Sequence, residues 1–196
     1  VDSLDDLIKT PGKAFYRTLV ALATTCSKEE FVSTVHCPAF VGAGIRDGEL
    51  EKVLASSVSG KSNKTQMFNP SVRAALIEGA SLEQSIFLLR KPVSSSIRDL
   101  RTFTVGRTQQ NDILMYDFAI SREHAVVELR GDRYYLKDLG SSNGTYVGGK
   151  LIDDRGTLLQ DGHAVRFARY EFNFLSVDAL FELLKKRSVA AIDAAL

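Results

Sequence analysis

The 196-residue chain contains no tryptophan and is sparing with cysteine, methionine and proline, at 2, 2 and 4 copies. Two cysteines, Cys26 and Cys37, cannot build a disulfide framework and read as reduced, partly buried thiols. His36 stands beside Cys37 without a second Cys or His pair at ligand spacing, so structural zinc is not expected, nor is any other metal or cofactor. With few prolines and 14 glycines, the chain has neither the collagen repeat nor the composition of a disordered polymer. No apolar run approaches the roughly 18 residues that a membrane-spanning helix needs. The opening residues, with Asp2, Asp5 and Asp6, are acidic where a signal peptide would be basic, so a soluble, cytoplasmic protein without a membrane partner is expected. Charge of one sign is also missing. The formal net charge is +1, and no part of the chain is basic enough to track a nucleic acid. A partner attracted by charge must be met at a local site.

What is present is an ordinary globular composition, 44% hydrophobic and 25% charged, in a length that suits one large domain or two small ones. Residues 1–83 read as a helical region of no identifiable family. Thr10 before Pro11 has the form of an N-cap and first-turn proline, with Phe15, Leu19, Leu22 and Ala23 on one face. Ser27 and Glu30 have capping-box spacing ahead of Phe31 and Val35. Leu50, Val53 and Leu54 suggest another short helix, Ser56 to Thr65 a polar tether, and Asn69-Pro70 the start of a helix that stops at Gly79.

From about Gln84 the period changes. Ser85 to Leu89 is a short apolar run, Arg101 to Val105 alternates, and His124–Leu129, Arg133–Leu139, Thr145–Val147 and Ala164–Leu175 continue as strands. Gly131-Asp132, Asn143-Gly144, Gly148-Gly149 and Asp161-Gly162 supply turn chemistry between them. Residues 84–175 are therefore expected to form an antiparallel β-sandwich. In 176–196 the period is helical again, with Val177, Leu180, Phe181 and Leu184 as an apolar stripe that packs on its own protein. The fold class is α+β: a sandwich flanked by an N-terminal helical region and a C-terminal helix.

Three suggestive motifs carry little. Gly144 to Lys150 has P-loop spacing, but Leu151 stands where Ser or Thr must ligate magnesium, and no helix follows. Arg130-Gly131-Asp132 lies between two strands and reads as a hairpin turn, while Gly42-Ala43-Gly44 lacks the third glycine of a dinucleotide fingerprint. A stronger constellation spreads over strand ends: Gly106-Arg107, Asn111-Asp112, Ser121-Arg122-Glu123-His124 and Gly140 to Thr145. Sandwich loops at one end can converge on one surface. Converging Arg107, Ser121, Arg122, Ser142 and Asn143 would supply a guanidinium fork, a second cation, two hydroxyls and a carboxamide. That inventory suits a dianionic phosphate on a peptide, and it contains no activated nucleophile or obvious general base.

Gly106-Arg107, Ser121-x-x-His124 and Asn143-Gly144-Thr145 in this order and spacing resemble the signature of the forkhead-associated (FHA) domain over about residues 86–175. The resemblance implies a sandwich of about eleven short strands that binds phosphothreonine segments of partner proteins, such as substrates of a Ser/Thr kinase. It further implies that Arg107 and Ser121 contact the phosphate with Arg122 beside them. Ser142 would donate to the phosphate or line a slot for the threonine methyl, and Asn143 would clamp the peptide main chain. His124 becomes a scaffold residue, and Gly106 and Gly144 serve backbone geometry through the left-handed region open to glycine. Gly148, His163 and Ala168 depart from residues frequent in the family, Asn, Asp and Gly respectively. Phe118 is expected as an exposed aromatic that either helps select residues after the phosphothreonine or caps the sandwich. The expected function is a non-enzymatic phosphothreonine-binding interaction module. The second reading is a structural or assembly protein that uses the same surface for phospho-independent contact or self-association, with Thr10 and Thr65 as residues a neighbouring copy could bind when phosphorylated.

Overall fold

Alternating apolar residues need a sheet face to bury them, and two such sheets form the centre of the molecule. The computed structural model describes residues 8–45, 82–91 and 101–193. The short helix suggested near Leu50, the tether 56–65 with its Thr65, and the helix suggested over 69–79 lie outside the described residues. The elements, in order, are β1 (Ile8–Thr10), β2 (Lys13–Ala14), α1 (Tyr16–Thr25), α2 (Lys28–Val35), β3 (Ala39–Ile45), a 3-10 turn (Leu82–Gln84), β4 (Ile86–Leu88), β5 (Thr102–Gly106), β6 (Ile113–Leu114), β7 (Ala125–Arg130), β8 (Arg133–Asp138), β9 (Thr145–Val147), β10 (Lys150–Leu151), β11 (Thr157–Leu158), β12 (Ala164–Phe167), β13 (Tyr170–Leu175) and α3 (Val177–Asp193).

One sheet has the order β1-β2-β4-β3-β13-β12-β9-β10 and the other β11-β8-β7-β5-β6. The pairings are antiparallel except β5 with β6, which is parallel. Between the sheets, Phe103, Val105, Val127, Leu136, Val165, Phe167, Phe172 and Phe174 form the main core. Phe40, Phe167 and Phe172 meet there with ring centroids 5.4 to 6.4 Å apart in tilted or edge-on pairs, geometries that add to the gain from burial. Two-residue loops close two hairpins: Arg130 pairs with Arg133 across Gly131-Asp132, and Val147 with Lys150 across Gly148-Gly149. Gly148 and Gly149 both have positive φ, as the primed hairpin turn requires. The P-loop-like spacing and the Arg-Gly-Asp tripeptide are thus strand-turn-strand.

A second core lies on the outer face of β3 and β4. Ala39, Val41, Ile86 and Leu88 pack there against Leu19 and Ala23 of α1, Phe31 and Val35 of α2, and Leu180, Phe181 and Leu184 of α3. The order is helices, large sheet, small sheet. Double-sided burial explains why Ile86-Phe87-Leu88 is a continuous apolar run rather than an alternating one. Helix α2 carries its capping box in full: Ser27 Oγ accepts from Glu30 N at 3.2 Å, and Ser27 N donates to Glu30 Oε2 at 2.8 Å. The stripe on α3 packs on its own protein.

Three sequence expectations need correction. Thr10-Pro11 does not cap α1. Thr10 pairs with Lys13 across a Pro11-Gly12 turn in which Gly12 has φ +75°, and the N-cap of α1 is Phe15. Pro followed by a left-handed Gly is the residue choice of a tight type II turn, which competes with helix initiation for the same dipeptide. The region 1–83 also includes β1, β2 and β3, and β3 lies between β4 and β13, so the large sheet crosses the expected boundary at residue 83. Finally, 164–175 is two strands broken at Ala168-Arg169, with Ala168 at φ +54°. A left-handed Ala accounts for the frequent glycine at that position in the resembled family.

Candidate functional site

The recognition end is where β5 ends, β7 begins and β8 passes to β9. Its loops are joined by backbone and side-chain bonds. Arg107 N donates to Ser121 O at 3.0 Å. Asn111 Nδ2 donates to Arg122 O at 2.7 Å, and Thr108 Oγ1 donates to the same carbonyl at 3.2 Å. A Cβ on Gly106 would sit 2.2 Å from Arg122 O, too close to accommodate without moving backbone. Gly106 does not have a positive φ. It is needed for this close approach rather than for left-handed geometry, which corrects the expected reason. Gly144, at φ +75°, does occupy the left-handed region.

His124 is fully buried. Its Nδ1 accepts from Ser121 N at 3.1 Å, its Nε2 lies 3.3 Å from Gly144 O, and its ring packs edge-on to Phe167 at 5.9 Å. A donor facing Nδ1 and an acceptor facing Nε2 select the neutral tautomer protonated at Nε2. Burial holds the His124 pKa below its ordinary value, against the opposing pull of Gly144 O and Asp138. In that position it joins two loops. Asp138 anchors the next turn by accepting from Ser141 N at 2.8 Å, Ser141 Oγ at 2.6 Å and Thr145 Oγ1 at 2.6 Å. Burial alone would raise its pKa, but these bonds outweigh it and hold the carboxyl below its usual range.

On this frame lies an open groove of about 620 Å³ lined by Arg107, Thr108, Gln110, Ser121, Arg122, Glu123 and Ser142. Four of the five expected ligand residues therefore share one concavity. Among the described residues neither Arg107 nor Arg122 forms an ion pair. Ser121 Oγ accepts from Ser142 N at 3.0 Å, which leaves its own proton to donate. Asn143 stands next to the groove, and its Nδ2 donates to Ala119 O at 2.8 Å, so its carbonyl and second N–H remain to be used. Phe118 is 69% exposed and lies under the Arg107 guanidinium at 5.5 Å. Thr108, Gln110 and Glu123 were missed as groove residues. Glu123 stood inside the Ser121–His124 motif, but nothing in one sequence distinguishes it from a solvated charge.

A rigid sandwich that offers cations, hydroxyls and an amide in a shallow groove at one end is the build of an anion-recognition domain. The model of the FHA domain family matches residues 103–168. The chain is 31% identical over 110 residues to the oxoglutarate dehydrogenase inhibitor of Corynebacterium jeikeium, covering 55% of this chain and 73% of that one. The protein belongs to the FHA family. It is also 29% identical over 103 residues to the glycogen accumulation regulator GarA of Mycolicibacterium smegmatis, covering 51% of this chain and 64% of that regulator. A solved structure described as phosphothreonine-dependent FHA domain interactions aligns over 46% of this chain and 82% of its own, at 26% identity and a TM-score of 0.38. Among the described residues no helix is long and apolar enough to cross a membrane.

Proposed function

We propose that the protein is a phosphothreonine-dependent interaction module that acts in the cytoplasm as a binding protein, not an enzyme, and recruits a substrate of a Ser/Thr kinase. The observation that carries this reading is the groove itself: two arginines that form no ion pair among the described residues share one concavity with two serines, and Glu123 is the one carboxylate in its lining. A phosphate dianion would complete both cations through charge-assisted bonds and take the Ser121 proton. Arg107 and Ser121 serve the phosphate, Arg122 and Ser142 flank it, and Asn143 uses its free amide groups on the peptide main chain. Among the described residues, no hydroxyl of a groove serine is hydrogen-bonded to a histidine or carboxylate side chain that could activate it, which supports reception over catalysis. Membership of the FHA family and the similarity to two bacterial regulators point to a regulatory role of the same kind.

The test is a titration of a degenerate phosphothreonine peptide mixture, and of the same mixture after phosphatase treatment, against wild type and Arg107→Ala. Binding of the phosphorylated mixture alone, lost in Arg107→Ala, is the expected result. Equal binding by the two proteins, or of the two mixtures, would sink the proposal. Light scattering before and after phosphatase separates partner binding from self-association through the same groove.

A further inference from the structure

Asp117 and Arg169 are each 8% exposed at the side chain and form an ion pair at 2.5 Å across 52 residues of sequence. Both oxygens of Asp117 are engaged. Oδ2 also accepts from Tyr170 Oη at 2.7 Å, and Oδ1 accepts from Ala119 N at 2.7 Å. Taking two charges out of water is costly, and an apolar pair of similar volume often stabilises a protein as well or better. Among the described residues Arg169 Nε is moreover buried with no hydrogen-bond partner, so the guanidinium is not placed to satisfy itself. Stability is therefore weak ground for the arrangement, and its position in the fold offers a stronger one.

The pair closes a ring of bonds around the recognition end. Asn143 Nδ2 donates to Ala119 O, and Ala119 N donates to Asp117. Asp117 is held by Arg169, whose neighbour Ala168 donates its N–H to Gly144 O at 3.0 Å. Gly144 follows Asn143, and the circuit is complete. Between Asp117 and Ala119 sits Phe118, with its ring under Arg107. One turn between β12 and β13 thus holds both loops that aim Asn143.

We propose that Asp117, pinned by Arg169 and Tyr170, is a positioning residue that sets the 115–120 loop and through it orients Asn143 toward the bound peptide. The proposal rests on the peptide-binding reading of the groove only for its consequence in affinity; the orientation of Asn143 is observable without any ligand. In Asp117→Asn the amide NH2 opposes donors whichever way the group turns: facing Arg169 and Tyr170 it breaks the clamp on the loop, and facing Ala119 N it removes the bond to Ala119 itself, so in either case the Ala119 carbonyl that anchors Asn143 is no longer held.

The experiment has two readouts. In uniformly 15N-labelled protein, Asp117→Asn is expected to shift the Asn143 side-chain NH2 resonances and to speed their exchange with water at least fivefold. Against the degenerate phosphothreonine mixture it is expected to weaken binding about tenfold. Asp117→Asn added to Asn143→Ala is expected to cost less than a further twofold, because Asn143 already carries the effect. Unchanged Asn143 resonances in folded Asp117→Asn, or losses that multiply in the double variant, would overturn the proposal. Melting by circular dichroism establishes that each variant is folded. If Asp117→Asn fails to fold, Tyr170→Phe, which keeps the charge pair, takes its place and should move the same resonances by a smaller amount; no movement would overturn the proposal. If wild type binds no phosphothreonine peptide, the groove reading fails, while the resonances still decide the role of Asp117.

Discussion

The helical layer and the recognition end are two parts of one sheet system held by different forces. Under the helices, Phe31 meets Phe181 at 5.3 Å, and Leu19, Val35, Leu180 and Leu184 are fully buried beside them. Each such side chain contributes roughly 1.5–3 kcal/mol through area removed from water, and many neighbours share the load. At the recognition end nearly every contact has one donor and one acceptor: His124 to Gly144, Asp138 to Thr145, Asn143 to Ala119. Apolar packing tolerates small shifts, whereas hydrogen bonds are directional, and loops that must meet a phosphate need direction more than area. The helical layer should therefore govern stability and the groove should govern binding, with little leakage between them.

The largest expected break in that division is in stability. Phe31→Ala removes a fully buried ring and should lower the free energy of unfolding by about 3–5 kcal/mol in urea titrations, with phosphopeptide affinity of the folded protein unchanged. A comparable loss of affinity would mean that the helices reach into the groove. The mirror case is Arg107→Ala, which should cost about 2–3 kcal/mol in binding by fluorescence anisotropy and leave the melting temperature nearly unmoved. Gly106→Ala tests whether the recognition end also has structural weight. Its Cβ must displace the Arg122 carbonyl, so about 1–3 kcal/mol should be lost from stability, and binding should weaken with it.

Acidification gives a smaller effect that joins the two regions. The folded-state pKa of His124 is depressed below 6.5, so the unfolded chain takes up its proton first. Its contribution is fully present above pH 6.5 and is lost as pH falls through the depressed value. Melting temperatures measured from pH 7.5 down to 5 should therefore decline, and His124→Gln should flatten the slope below pH 6.5; an unchanged slope would remove His124 from the account. Phosphopeptide affinity should fall over an overlapping range, because the phosphate loses its second charge near pH 6. The smallest effect is a methyl. Phosphoserine in place of phosphothreonine should bind weaker by about 1 kcal/mol through loss of the methyl contact, and equal affinity would remove the expectation of threonine selectivity.

Much of the site was legible because its parts are short and local. Gly106-Arg107, Ser121-Arg122 and Asn143-Gly144 sit at strand ends marked by turn chemistry, and the strands before and after them alternate cleanly. The capping box at Ser27 and Glu30 is local for the same reason. What escaped was non-local or ambiguous. Strand β3 reads Ala-Phe-Val-Gly-Ala-Gly-Ile, with two glycines and no clean alternation, because its first half is buried on both faces and Gly42 lies against the backbone of Leu82. Pro11-Gly12 offers a helix start and a tight turn at once, and pairing of β1 with β2 decides between them. The turn at Ala168 lacks Gly, Asn and Asp, so it carries no turn signature.

By itself, then, the sequence determined the longer strands from β4 onward, most of the turns between them and the polar groups at their ends, since period and turn preference depend on neighbours only a few residues away. Tertiary structure alone decided that β3 enters the sheet between β4 and β13, that the helices cover its outer face, and that Asp117 meets Arg169. Those outcomes depend on which buried surfaces find each other and on where a desolvated charge finds its partner, and no local pattern records either.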